Sequence, residues 1–267
     1  VKIGIIDIKS LKTNWLNVPG DPDNNYLVRI KWIDNQSLMV IQLNRNQNKV
    51  SMYNCNTNSG VATLIYKEES TAWLDVFDIS AWNYDAFPCQ FVDNKKSFLW
   101  SSDADGWMHI YKISIDGKKK ELITTAPFDA YFQGYNDETK TIYFEASPTD
   151  ATQRYLYETN LNSKKTKRVT PQEFDGTNKY EFSTDAKYAK HTNSNINRNY
   201  NSRLVALPSH KKILPKEADV FTIPKRDYSL EKFKVTTVDG IEMDGIMAKP
   251  LDFDPSKKYP LFFFVYG

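Results

Sequence analysis

Apolar and polar residues alternate along this chain at a spacing of two, in short runs broken by Asp, Asn and Gly. That period belongs to strands, because successive side chains of an extended backbone point to opposite faces. In "MHIYKI", Met108, Ile110 and Lys112 alternate with His109, Tyr111 and Ile113, so both faces are partly apolar. Such a strand lies between two sheets. The pattern then repeats. Four segments, starting at Ile30, Cys89, Gly134 and Tyr180, share one layout. An aromatic-led strand meets an Asp or Asn turn, and a second strand, a loose polar loop and a third aromatic-rich strand follow. Tyr53, Tyr111 and Tyr157 fall at matching points of the first three. Units of roughly 40 to 50 residues with four short antiparallel strands are the mark of propeller blades. A β-sandwich would not produce four copies of one pattern. The predicted fold is all-β, a partial propeller of about four or more four-stranded blades.

The blade pattern stops after His210, where Pro215, Pro224 and a crowd of charges intervene. Residues 1–214 are predicted as blades, 215–232 as a linker and 233–267 as the first strands of a second domain. In that last part Phe233, Val235 and Thr237 alternate, Asp239-Gly240 supplies a tight turn, and Ile241, Met243 and Met247 continue on the return strand. Leu261, Phe262, Phe263, Phe264 and Val265 read as a strand buried on both faces. The opening "VKIGIIDIKS" reads as the middle of a strand, with Val1, Ile3, Ile5 and Ile8 around Asp7, and lacks the pattern of a signal peptide. Both ends are therefore expected to be cuts in a longer protein.

Composition narrows the chemistry. The chain is 40% hydrophobic, 25% charged and 14% aromatic, an ordinary globular balance with aromatics suited to strands. A net charge of +2 predicts no polyanionic partner, and no apolar run reaches the roughly 18 residues of a membrane-spanning helix. Cys55 and Cys89 form no CxxC pair and read as lone core thiols. His109, His191 and His210 lack the close spacing of a zinc site, and His109 reads as a packed or hydrogen-bonded strand residue. "SDADGW" is similar to a calcium loop, yet Lys112 stands where a bidentate Glu belongs. A turn with Gly106 at positive φ explains it better. No metal and no cofactor is predicted. The basic clusters at 117–121 and 163–168 read as hairpin tips in water rather than a nucleic-acid surface. Asn35-Gln36-Ser37 fits the glycosylation triplet, a match that arises often by chance. Among Trp32, Trp73, Trp82, Trp100 and Trp107, most are expected in blade cores, though they could line a peptide cavity.

"VDGIEMDGIMAKPLDFDPSKKYPLFFFVYG" resembles the entry into the catalytic domain of prolyl oligopeptidase-family serine peptidases, an α/β-hydrolase. "SSDADGWMHIYKIS" (101–114) and "YFEASPTDATQRYLYETNL" (143–161) resemble blades of that family's dipeptidyl peptidase IV branch. The resemblance implies a two-domain exopeptidase whose propeller caps the hydrolase domain, gates it and helps bind substrate. It implies release of N-terminal dipeptides with Pro, or less readily Ala, in second position, by a Ser-His-Asp triad without cofactor. It also implies an exported protein and a homodimer. Tyr266 matches the tyrosine whose hydroxyl donates to the oxyanion, a donor fixed at a strand end and aimed at developing charge. The substrate-binding residues are not readable.

The departures matter as much. No G-x-S-x-G elbow occurs, so the triad is expected outside these residues and the chain alone is expected to be inactive. The family's Glu-Glu helix, which binds the substrate amine, is also missing. Glu68-Glu69 in "YKEESTAW" lacks its flanking aromatics and reads as a solvated turn. The competing function is a non-catalytic propeller that binds a protein or peptide through its loops.

Overall fold

A computed structural model describes residues 1–74, 89–196, 198–213 and 226–264, with the side chains of residues 198 and 199 set aside. Among the described residues every regular element is a strand. A short hairpin, β1 (Gly4–Ile6) with β2 (Thr13–Trp15), precedes four sheets, each of four antiparallel strands in chain order. The first blade is β3 (Asn25–Asp34), β4 (Ser37–Asn44), β5 (Lys49–Asn56) and β6 (Ala62–Glu69). The second is β7 (Cys89–Val92), β8 (Ser97–Ser102), β9 (His109–Ser114) and β10 (Lys120–Leu122). The third is β11 (Tyr131–Asn136), β12 (Thr141–Ala146), β13 (Tyr155–Asn160) and β14 (Thr166–Arg168). The fourth is β15 (Thr177–Phe182), β16 (Tyr188–Asn195), β17 (Arg198–Ala206) and β18 (Lys211–Lys212). The four repeats are the four blades. The outer strands β10, β14 and β18 hold only two or three residues, too few to show a period in sequence.

The alternation within each second strand sorts side chains between neighbouring cores. In β4, Leu38 and Val40 join the core beside β1–β2, while Met39, Ile41 and Leu43 join the one shared with the second blade. In β8, Phe98 and Trp100 face back to the first blade and Leu99 faces the third. In β12, Ile142 and Phe144 face the second blade and Tyr143 the fourth. Burial on both faces is what a blade between two blades requires, and it places the sheets in one continuous stack. The matched tyrosines keep register. Tyr53, Tyr111 and Tyr157 pair with Val40, Trp100 and Phe144, the same position of each second strand. At that position of the fourth blade His191 pairs with Arg203 instead. Cys55 and Cys89 are buried free thiols in cores on opposite faces of the first blade, and burial pushes the Cys55 thiol up to about 11.

Beyond the blades, β19 (Tyr228–Thr236) pairs with β20 (Glu242–Pro250) through a turn at Asp239-Gly240, with Gly240 at φ +86°. The strand starts at Tyr228, inside the stretch read as linker. Leu261 to Phe264 are not a buried strand: they lie outside regular structure and are exposed, Phe262 at 86%. A strand needs neighbours to take its N–H and C=O groups, and among the described residues none lies beside it. The tryptophans also differ from expectation. Trp100 is core, whereas Trp32, Trp73 and Trp107 are exposed, and Trp82 lies outside the described residues.

Candidate functional site

Antiparallel order puts all connections between second and third strands at one end of the blades, together with those leading from one blade to the next. That end meets the C-terminal hairpin. The Lys232 ammonium on β19 donates to Thr152 Oγ1 in the β12–β13 connection (2.8 Å), and the Arg226 guanidinium donates to the Ile196 carbonyl beyond β16 (2.7 Å). Three polar groupings lie here or in the blade seams beside it.

The first joins blades one and two around Glu68. The sequence predicts a solvated turn at this residue, but the structure buries it. Oε2 accepts from the Tyr66 hydroxyl (2.6 Å) and Trp100 Nε1 (3.1 Å), and Oε1 accepts from Ser102 Oγ (2.6 Å). The Lys120 ammonium donates to the Tyr66 hydroxyl (3.0 Å) and lies 4.3 Å from the Tyr111 ring centroid. The signal was present in "YKEE": strand alternation puts Tyr66 and Glu68 on one face and Lys67 and Glu69 on the other. Glu69 is indeed exposed, paired with Lys49 and Lys67.

This network continues into residues 103–108. Ser102 Oγ accepts from the Ala104 amide (3.1 Å), and the Gly106 amide donates to the Asp103 carbonyl (2.9 Å) with Gly106 at φ +96°, the turn residue expected. The buried His109 ring places Nδ1 2.9 Å from Asp105 Oδ2 and Nε2 2.9 Å from the Ala126 carbonyl, so its reading as a hydrogen-bonded strand residue holds. Burial works to raise the Asp105 carboxyl, but bonds from His109 and Tyr111 win and hold it below the usual carboxylate range. The Met108 amide donates to Asp129 (2.8 Å), and its carbonyl accepts from the Ala130 amide (2.7 Å).

The second grouping joins blades three and four. Glu145 on β12 is buried, with Arg154 Nη1 3.8 Å away. Burial pushes its carboxyl up to about 7, against the pull of Arg154 and Lys179. The third fills the fourth blade. Tyr180 stacks on His191 at 4.6 Å, and its hydroxyl lies 2.9 Å from both His210 Nε2 and Thr170 Oγ1. His191 Nε2 faces Asn178 Oδ1 at 2.7 Å, while its Nδ1 is buried and has no partner among the described residues. Burial, then the neighbouring His210 and Arg203, drives His191 down to about 3; burial and Arg203 take His210 to about 4. Both imidazoles are therefore neutral. Sequence separation hid this pair, because only strand pairing and the last blade turn bring 191 and 210 together.

These groupings orient loops and seams, and no cluster of three or more His, Cys, Asp or Glu able to hold a metal occurs among the described residues. Tyr266, the sequence-predicted oxyanion donor, lies outside the described residues. No described helix is long and apolar enough to cross a membrane.

The sequence profile of the dipeptidyl peptidase IV N-terminal region matches residues 1–200. Over its whole length the chain is 24% identical to dipeptidyl peptidase 4 of Arthroderma otae and 24% identical to that of Trichophyton rubrum, spanning 35% of each relative. Among solved structures it superposes on Porphyromonas gingivalis dipeptidyl peptidase 4 with a TM-score of 0.82 at 24% identity, covering 97% of this chain and 36% of that one.

Proposed function

This chain belongs to the dipeptidyl peptidase IV N-terminal-region family, and on that premise we propose that it is the propeller part of a serine-type dipeptidyl peptidase. The family match over residues 1–200 carries the reading. The intact enzyme releases N-terminal Xaa-Pro or Xaa-Ala dipeptides from peptides with a free amine. The Ser-His-Asp triad and the amine-binding Glu pair come from outside these residues. The blades gate access and help bind the peptide, and β19–β20 with the segment after it leads into an α/β-hydrolase domain. Tyr266 donates its hydroxyl to the oxyanion of the tetrahedral intermediate. The whole protein is exported and works as a homodimer.

The test is hydrolysis of a Gly-Pro chromogenic substrate by the intact protein, with the amine free or acylated. Release from the free form alone is expected, and Tyr266→Phe should lower kcat by about 100- to 1,000-fold. Cleavage of the acylated form would overturn the exopeptidase assignment. Peptide binding without any cleavage would favour a non-catalytic propeller.

A further inference from the structure

Within residues 103–108 one large apolar side chain stays in solvent while the backbone around it is fastened. Trp107 is 43% exposed. The amides of Ala104, Gly106 and Met108 all have partners, Asp105 is taken by His109 and Tyr111, and the Met108 carbonyl is taken by Ala130. The anchors Glu68, Ser102 and His109 are buried, and they tie this loop to the first blade and to the connection after β10. A loop needs no such fixation merely to turn the chain, whereas a contact surface gains from it, because the ordering cost is met before a ligand arrives. The loop sits at the end of the blades that meets β19. Trp73 stands exposed at the same end of the adjoining blade, where the Leu74 amide donates to the Gln47 carbonyl of the β4–β5 connection (2.9 Å). The nearby carboxylate of Asp105 is already engaged, and the indole is the large apolar face that the loop presents to solvent.

We infer that residues 103–108 form a preorganised peptide subsite in which the Trp107 indole stacks against an apolar or prolyl side chain of the bound peptide, with Glu68 as its positioning residue. This rests on the peptidase reading above for the identity of the ligand as a peptide. The indole offers a flat apolar face to a ring or branched aliphatic side chain, and such contacts add to area burial.

The experiment compares the Gly-Pro chromogenic substrate with a hexapeptide beginning Gly-Pro and carrying Pro or Leu beyond the scissile bond, using the full-length protein. Trp107→Ala is expected to raise KM for the hexapeptide about tenfold, with a smaller rise for the chromogenic substrate and kcat for the hexapeptide kept within about twofold. Trp107→Phe should recover most of the loss, and Glu68→Gln should move KM in the same direction by less. Trp15→Ala removes a more exposed indole, on β2, and should leave both constants unchanged. An unchanged hexapeptide KM in Trp107→Ala, or an equal change for both substrates, would overturn the subsite. Loss of kcat alone in Glu68→Gln would remove the positioning role. If no peptide is cleaved, the peptidase reading fails by itself, and calorimetric titration of the hexapeptide decides the subsite. Binding weakened about tenfold by Trp107→Ala keeps it, and equal or absent binding removes it.

Discussion

The seam between the first two blades and the interior of the fourth solve the same problem in opposite ways. Both bury ionisable groups among aromatic rings. Around Glu68, three donors converge on two oxygens and a lysine stands one hydroxyl away, so the carboxylate's bonding capacity is matched. Around His191 and His210, burial comes first and the Arg203 side chain, whose guanidinium lies 4.2 Å from the Phe174 ring, adds to it against the pull of Glu173 on His210, so both rings stay neutral. A buried carboxyl is satisfied where donors are aimed at it; a buried base beside a cation gives up its proton. Stability should therefore depend on hydrogen-bond acceptors in one region and on pH in the other.

The largest expected effect comes from removing the shared acceptor. Glu68→Ala leaves Tyr66, Trp100 and Ser102 without their acceptor, and urea unfolding followed by circular dichroism should show a loss of about 3–5 kcal/mol. A loss below about 1 kcal/mol would break the contrast, because the donors would then have found water. Next is acid sensitivity of the fourth blade. The folded histidines titrate near 3 and 4 against an ordinary 6.5, so the unfolded chain takes up protons first. Each histidine should contribute stability that is present above about 6.5 and falls on the order of 3 kcal/mol as the pH drops toward 4, and His191→Gln should remove its share of that slope. A slope unchanged in His191→Gln would place the acid sensitivity elsewhere. The smallest effect sharpens the comparison by adding a carboxyl with no converging donors. Glu145 titrates near 7 against an ordinary 4.5, so its contribution is present below 4.5 and lost as the pH rises through 7. Glu145→Gln should remove about 2 kcal/mol of that alkaline loss, read as the difference in midpoint between pH 5 and pH 8.

How much was legible in the sequence follows from range. Period-two alternation within "MHIYKI" and the turn at Gly106 are local, and both stand as read. The repeat of tyrosine positions is also visible without coordinates, since equivalent residues must keep one register when blades stack. Glu68 was misread because its donors come from Tyr66 nearby and from Trp100 and Ser102 on another blade. The exposed tryptophans differ for the converse reason: a Trp reads as core from sequence, whereas among the described residues nothing covers Trp32, Trp73 or Trp107.

The sequence alone determined the strand period, the four-fold repeat, the hairpin at Asp239-Gly240 and the family likeness, because each depends on residues close together in the chain. Only the tertiary structure decided which polar residues are buried. That choice depends on whether donors from separate blades meet at one point, as they do at Glu68, or leave an imidazole nitrogen without a partner among the described residues, as at His191.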